Sequence, residues 1–507
     1  MRKQLEVDLY SIVVLERNSP VAMHQQLNIQ ISQAVLSGRL PSGLRLPASR
    51  ELATKLGISR TTVVTAFQQL IAEGYLESRV GAGTFVGSNL TKQILELAPL
   101  PGQARDSQKK LAYDLLSERG RALIDSRSYS LQQTPTAFMP NQPAYDKFPF
   151  DVWARILARK NRRPAYELLN YGNASGYPPL RRAIAAYLYH ARGIKCDEEQ
   201  VIVVTGAQMA VSLSAWILLN PGDGVMLEDP GYIAMRDMLS GFGARIVNVP
   251  VDRQGMDVST GIATEPEARM ALLAPSYQYP LGVTLSLPRR LELLAWANRA
   301  KAWIIEDDYA SEFRFSGAPI APMQTIDQNG RVIYVGTFSK VMFPSLRVGY
   351  LVVPPALVDA YAAAVHLLTR GVSTLTQAAL AEFINKDHFS KHIRRMRLIY
   401  AERHEAMIEA SHKNLEGLID VSPAKTGMNV VGWLPKNGKD HGDDLVAVRK
   451  LNAHGILSAP MSVQYSVKQP RHGLLLGFGC SSVKETQYAV KKMARVLDSP
   501  SFSKTTL

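Results

Sequence analysis

The chain has 507 residues, a formal net charge of +14 at pH 7 and two cysteines. That length exceeds one ordinary domain and supports large buried cores. Two cysteines, Cys196 and Cys480, exclude a disulfide framework and fit a reducing, cytoplasmic setting. The positive charge points to a polyanionic partner and says nothing about fold. The N-terminus carries basic residues but no apolar signal core, so export is not expected. The most membrane-like run, 201–220, is interrupted by Thr205-Gly206-Ala207-Gln208 and reads as strand, turn and buried helix. No membrane partner and no metal site are expected.

Residues 20–86 read as a unit of their own. Leu27, Ile31, Ala34 and Val35 recur at helical spacing, and that helix is expected to stop near Gly38. After a turn at 40–43, Ser49 is expected to cap a short helix over 50–56, which Gly57 ends. Ser59 caps a third helix running to about Glu73. Two short strands over 75–86 follow, joined by Val80-Gly81-Ala82-Gly83. Helix, helix-turn-helix and hairpin together make a winged helix.

The residues of this unit suit DNA. Arg60, Thr61 and Thr62 crowd the start of the third helix, the end that enters a major groove. Arg45, Arg50 and Arg79 are placed for phosphates, Ser49 is a further contact candidate, and Gly81 and Gly83 let the wing backbone come close. A small three-helix protein-interaction domain is the competing reading of the same pattern. The runs LPASRELATKLGISRTTV and AEGYLESRVGAGTFV resemble the GntR winged helix, which implies double-stranded operator DNA as a partner. Some members carry an arginine where Val64 stands, so the resemblance implies fewer contacts here or a different sequence preference. The domain is bounded at 1–87, followed by a linker at 88–134 that mixes Pro, Gln, Ser and charges, with short helical patches expected around 111–124.

The remaining domain, 135–507, alternates strand and helix as far as 353. That alternation predicts an α/β fold with a large, mainly parallel sheet and helices on both faces. A smaller C-terminal subdomain is expected from about 357. Residues 169–188 read as a polar turn entering an amphipathic helix. The strand 201–204 leads to Gly206 and Ala207 at a helix start, whose N–H groups form a ready phosphate site. Another strand ends in Glu228-Asp229-Pro230-Gly231-Tyr232. The apolar stretch from 302 ends in Glu306-Asp307-Asp308-Tyr309, at the carboxyl end where open α/β sheets bind ligands.

The stretch RVIYVGTFSKVMFPSLRVGY, 331–350, is the centre of the domain. A buried strand breaks at Gly336 into Thr337-Phe338-Ser339 and then places Lys340, where apolar surroundings favour a neutral, nucleophilic amine. Thr337, Ser339 and Arg347 suit a phosphate. Together they suggest a phosphorylated aldehyde held by Lys340 as a Schiff base, which is pyridoxal 5'-phosphate. A surface loop that contains Ser-Lys is the competing reading. Asp307 would face the cofactor's pyridine nitrogen and Tyr309 its ring hydroxyl oxygen.

These paired stretches resemble the fold-type I aminotransferases and, more closely, the MocR subgroup of GntR-type regulators, in which IIEDDYDSEF precedes GTFSK and PSLR. The resemblance implies that Tyr232 stacks on the cofactor ring and that Tyr171 reaches the phosphate bound by the neighbouring subunit of a homodimer. It also implies that Tyr277 and Leu281 replace a usual His and Thr, and that Leu475 stands where aminotransferases carry a substrate-carboxylate arginine. Arg471 is the substitute expected for that arginine. The expected function is a DNA-binding transcription regulator whose large domain senses pyridoxal phosphate or a small-molecule amine. The alternatives are an active pyridoxal-phosphate-dependent aminotransferase with a fused DNA-binding domain, and a dimerisation scaffold that has lost its cofactor. The basic run 391–397, continued by Arg403, reads either as a solvated helix face or as a guide for DNA.

Overall fold

The helix Met23–Leu36 buries Leu27, Ile31, Ala34 and Val35, because these positions fall on one stripe of a 3.6-residue turn. In the computed structural model, residues 9–16, 19–87, 113–125, 136–317, 320–435, 443–466 and 471–498 are described. The chain divides into two units, Met1–Leu116 and Ser117–Leu507.

In the first unit, that stripe packs on Val63, Ala66, Phe67 and Leu70 of the helix Arg60–Ala72, and on Leu52 of the helix Ser49–Leu56. The Ser59 hydroxyl caps the former helix, accepting from the Thr62 N–H at 3.1 Å. The cap expected at Ser49 does not form. Ala48 is extended, the helix starts one residue early at Ser49, and no side chain closes that end. Gly57 adopts φ 64°, which ends the helix as expected. Strands β1 (Leu76–Arg79) and β2 (Gly83–Val86) pair antiparallel as the wing. Upstream of the 20–86 pattern and within the expected bound of 1–87, a short helix, Leu9–Ile12, and Val13 add Leu9 and Val13 to the same core.

The second unit is built on eight strands: β3 (Val201–Val204), β4 (Gly224–Asp229), β5 (Arg245–Asp252), β6 (Gly255–Met256), β7 (Met270–Leu273), β8 (Trp303–Asp308), β9 (Val332–Thr337) and β10 (Gly349–Val352). Their order is β3-β10-β9-β8-β7-β4-β5-β6. The pairs from β5 through β4, β7 and β8 to β9 are parallel. β10 runs antiparallel to both β9 and β3. Side chains alternate across the sheet. Val225, Leu227 and Ile305 face the helices Ala207–Leu218 and Val358–Leu368, whereas Met226, Ile304 and Val332 face the helix Leu287–Arg299.

Two boundaries differ from the sequence reading. Tyr361, Ala364 and Val365 of the helix Val358–Leu368 belong to the core of the large sheet, so the smaller subdomain begins after that helix rather than near 357. The helix Glu118–Asp125, inside the expected linker, lies against the helix Ile233–Gly241 of the second unit; the rest of that linker and the boundary at 134 fall almost wholly outside the described residues.

The smaller subdomain carries an antiparallel sheet of β11 (Asp420–Val421), β12 (Asn429–Trp433), β13 (Ala459–Pro460) and β14 (Gly473–Gly477), ordered β11-β12-β14-β13. The helices His388–Asn414 and Val483–Asp498 pack against one another beside it. Phe138, at the start of the second unit, bridges to Gly477. Among the described residues, no helix is long and apolar enough to cross a membrane.

Candidate cofactor cavity and DNA-binding surface

The carboxyl ends of β4, β7, β8 and β9 and the start of the helix Ala207–Leu218 enclose a cavity of about 220 Å³. Gly206, Ala207, Tyr232, Asp307 and Tyr309 line it, as do Thr337, Ser339, Lys340 and Arg347. Residues from Gly206 to Arg347 in sequence therefore converge, because parallel strands deliver their following loops to one edge of the sheet.

Lys340 lies just past β9, and its amine donates to the Asn141 carbonyl at 3.1 Å. Burial pushes this amine down to about 8, against the opposing pull of Asp307. Burial raises the Asp307 carboxyl to about 7; the Asp308 charge adds to that shift and Lys340 opposes it. Asp307 Oδ1 and the Tyr309 hydroxyl are both buried without a hydrogen-bond partner. Strand alternation explains why only one acid of the run does this work. Asp307 faces the cavity, while Glu306 accepts from the Met323 and Gln324 N–H groups at 2.9 Å each. Asp308 accepts from Arg192 at 2.7 Å and from the Tyr334 hydroxyl at 2.6 Å.

Gly206 precedes the helix Ala207–Leu218 with φ 100° and no side-chain cap. A Cβ there would lie 3.9 Å from Arg347 Nη1, so the guanidinium stands beside the uncapped helix start. Helix N–H groups and an arginine together suit an anion. Tyr232 meets Tyr279 edge to face, with ring centroids 5.5 Å apart.

Sequence reasoning missed Asn141, Glu228, Arg236 and Asn248, all of which line the cavity. Asn141 has φ 61° and is fixed by Asn429: its N–H donates to Asn429 Oδ1 at 2.8 Å and its Oδ1 accepts from Asn429 Nδ2 at 2.7 Å. An asparagine beside a proline-containing turn, NQP, was the available signal. Burial raises the Glu228 carboxyl to about 8. Arg236 donates to the Ser466 hydroxyl at the cavity's edge.

Two expected site residues do not line this cavity. Tyr171 is exposed and lies near Arg370, whose guanidinium carbon is 5.6 Å from its ring. Arg471, expected as the carboxylate anchor, instead stacks 4.0 Å over Trp433 and lines a separate hollow with His412 and Glu416. A planar guanidinium next to an indole face is held there by cation–π attraction. Leu475 is fully buried with Val431 and Met461, against Tyr279 and Leu281. The Tyr277 hydroxyl donates to the Asn429 carbonyl at 3.2 Å, so this ring supports the Asn141–Asn429 pair from behind.

The basic run 391–397 keeps Lys391, Arg394, Arg395 and Arg397 exposed, as a solvated helix face does. His392 and Arg403 are buried. Arg403 donates to both Asp146 carboxylate oxygens, at 3.2 and 3.1 Å, and to the Gly479 carbonyl. Arg397 donates to the Glu312 carbonyl at 2.6 Å, and Arg395 to that of Lys147. Asp443, Asp444 and His472 also lie together, but Asp444 already accepts from the Ser462 and Gly473 N–H groups at 2.7 and 3.1 Å, which marks a structural cluster.

On the first unit, Arg45, Arg50, Arg60 and Thr61 are exposed, and Ser49 and Thr62 are half-buried. The Thr62 hydroxyl lies 2.8 Å from that of Ser59, so it shares in the cap. Arg79 pairs with Glu77 at 2.5 Å and sits 4.6 Å over the Phe85 ring. Gly81 and Gly83 have φ 73° and 113°. At Gly83 a Cβ would come within 3.2 Å of Arg45 Nε, so glycine lets this arginine lie along the wing.

Residues 24–86 match the model of bacterial regulatory proteins of the gntR family, and residues 136–466 that of class I and II aminotransferases. The chain is 39% identical over 467 residues to the probable rhizopine catabolism regulatory protein MocR of Rhizobium meliloti, covering 92% of each. It is 31% identical to the HTH-type transcriptional regulator TauR of Rhodobacter capsulatus, over 94% of this chain and 96% of that one. The Pyrococcus horikoshii kynurenine aminotransferase, solved with PMP, superposes with a TM-score of 0.67 at 25% identity, over 78% of this chain and 98% of its own. With a gntR-type unit, a class I and II aminotransferase unit and end-to-end similarity to such regulators, the chain belongs to the MocR subgroup of the GntR family of transcription regulators.

Proposed function

We propose that this regulator holds pyridoxal phosphate on Lys340 and uses the loaded domain to control how its winged helix engages double-stranded operator DNA. The observation that carries the reading is one cavity with two buried, unpartnered oxygens, Asp307 Oδ1 and Tyr309 OH, facing a lysine whose amine burial holds near 8. A pyridine nitrogen complements Asp307, and the ring hydroxyl oxygen complements Tyr309. Lys340 would attach to the carbonyl carbon. Arg347, Thr337, Ser339 and the N–H groups at Gly206 and Ala207 would hold the phosphate, and Tyr232 would pack on the ring. Bound there, the cofactor supplies an electrophilic carbon and an electron-withdrawing ring.

Tyr171 is exposed, which is consistent with a role across a homodimer, where it would reach the partner's phosphate. The working protein would then be a cytoplasmic homodimer. Arg236 is the cavity-lining cation best placed at the edge to meet an anionic group on a small-molecule amine. On the winged helix, Arg60 and Thr61 would read bases, and Arg45, Arg50 and Arg79 would meet phosphates. The regulatory names printed for MocR and TauR support this reading.

The test is operator binding by the full chain with and without pyridoxal phosphate, across a panel of amines. Affinity or footprint should change with the cofactor and change again with an active amine. Identical footprints and affinities in every state would reject sensing. A working aminotransferase is the second reading, favoured by the similarity to the kynurenine aminotransferase.

A further inference from the structure

A further hollow, of about 640 Å³, shares none of its lining residues with the cofactor cavity. The end of the helix Pro178–Arg192, the turn after β8 and the start of the helix His388–Asn414 form its walls. Arg192 Nε, Ser311 Oγ, Glu312 Oε2, Arg314 Nε and Thr426 Oγ1 belong to its lining residues, and each atom is buried without a hydrogen-bond partner. Three of these side chains are deeply buried, with Arg192 and Glu312 7% exposed and Thr426 3%. Polar groups buried in this way are normally paired, since leaving one unpaired costs about 1–3 kcal/mol. Their concentration in one concave site marks a surface built for a polar partner.

The chemistry of the lining narrows that partner. Arg394 and Arg397 join Arg192 and Arg314 at the hollow, against the acids Glu312 and Asp387. Arg192 is already paired with Asp308 through Nη2, which leaves its Nε without a partner. Guanidinium and hydroxyl donors drawn from four chain segments suit a tetrahedral oxyanion, which accepts from several directions at once. Burial raises the Glu312 carboxyl to about 7, so near neutral pH it also has a proton to donate.

We propose that this hollow binds a phosphate group, carried by a small phosphate monoester, at a site separate from the cofactor cavity. Its volume exceeds what a bare phosphate ion occupies, which favours the monoester over the free ion. The site stands on its own residues and does not depend on what the cofactor cavity holds.

The experiment is calorimetric titration of the full chain with inorganic phosphate and with methyl phosphate at constant ionic strength, in an Arg347→Ala background that disables the front anion site. Saturable binding of methyl phosphate, tighter than that of inorganic phosphate, is expected. Adding Arg314→Gln or Thr426→Val should weaken it about tenfold or more. Circular dichroism establishes that each variant folds, and Ser311→Ala serves as a third, milder change. No saturable binding in the Arg347→Ala protein would overturn the proposal. So would equal affinity after Arg314→Gln and Thr426→Val, which would assign the phosphate to the winged helix or another basic surface. Equal affinity for both ligands, lost in these variants, would overturn the preference for a monoester.

Discussion

Lys340 and Asp307 face one cavity and oppose each other's burial shifts. Each favours the other's charged form, yet burial leaves the amine at about 8 and the carboxyl at about 7. The lysine's value in the folded chain lies below its ordinary 10.5. A protonated Lys340 therefore destabilises the fold at pH below about 8, and the penalty is relieved as pH rises from about 8 to 10.5. Asp307 shifts the other way: its neutral form is favoured, and that contribution is lost as pH rises from 3.8 to about 7. The first prediction concerns reactivity. Borohydride trapping of an aldehyde on Lys340 should accelerate with pH around a midpoint near 8. A midpoint near the ordinary lysine value would contradict the burial argument.

Lys340→Met should abolish covalent attachment of pyridoxal phosphate and leave the fold intact. Because it removes a buried amine that is charged at neutral pH, it should also raise the stability of the cofactor-free protein at pH 7. Urea unfolding followed at pH 7 and at pH 10 measures this. The gain should shrink at the higher pH, and a gain independent of pH would mean that Lys340 is not charged in the folded state.

On the DNA side, Arg60→Ala should cost on the order of 1–3 kcal/mol in operator binding and relax base preference, because Arg60 is exposed at the start of its helix. Arg45→Ala should weaken all sequences alike and reduce the salt dependence by about one charge. Ser59→Ala should act differently, lowering the stability of the unit by roughly 0.5–2 kcal/mol, because the Ser59 hydroxyl caps the helix Arg60–Ala72. Binding titrations at several salt concentrations, with thermal melts, separate these effects. Unchanged base preference in Arg60→Ala would remove that residue from the reading role.

Much of the cofactor cavity was legible because its parts are short-range. A β-branched run followed by Gly-Thr-Phe-Ser-Lys specifies strand, turn and a placed lysine without help from the rest of the chain. The acidic run at 306–308 was legible as a site, but the division of labour within it required the strand's alternation, which sends Asp307 one way and Asp308 the other. The direction of β10 was not legible, since an apolar run reads the same whichever neighbours it pairs with. Arg471 failed for a related reason: its fate depends on Trp433, 38 positions away in sequence and 4.0 Å away in space. Arg403 did leave a signal. It falls on the buried stripe His392, Met396, Tyr400, Arg403 and Met407, so helical periodicity places it inward despite its charge.

That placement gives a further prediction. Arg403→Met should lower stability by about 1–3 kcal/mol, since it strands the Gly479 carbonyl and the Asp146 pair. It should leave the salt dependence of operator binding unchanged. Chemical denaturation and DNA titration measure the two separately. A flattened salt dependence in a stably folded Arg403→Met protein would restore the idea that this helix guides DNA.

The last prediction is that the protein turns over amino donors poorly. Transamination needs the substrate carboxylate held firmly, because misplacing the reacting amine forfeits much of the gain from proximity. The position that resemblance assigns to the anchoring arginine is Leu475, fully buried among Val431, Met461 and Tyr279. Arg471 cannot replace it while stacked on Trp433 beside a different hollow. Among the described residues the cavity's cationic side chains are Lys340, Arg347 and Arg236. In the proposed reading the first would be the nucleophile and the second would hold phosphate at the helix start, which leaves Arg236. It is attached to Ser466 at the edge of the cavity rather than fixed across the reacting amine. On the proposed reading an amine would enter and be sensed, but its Cα–H bond would not be held by a two-point clamp. Steady-state assays with amino acids and simple amines, with pyruvate and 2-oxoglutarate as acceptors, should give turnover well below about 1 per second. Arg236→Gln should weaken the response of operator binding to amines that carry an anionic group and spare the response to those that do not. A turnover number at or above about 1 per second would make the enzyme, rather than the sensor, the right description of this domain.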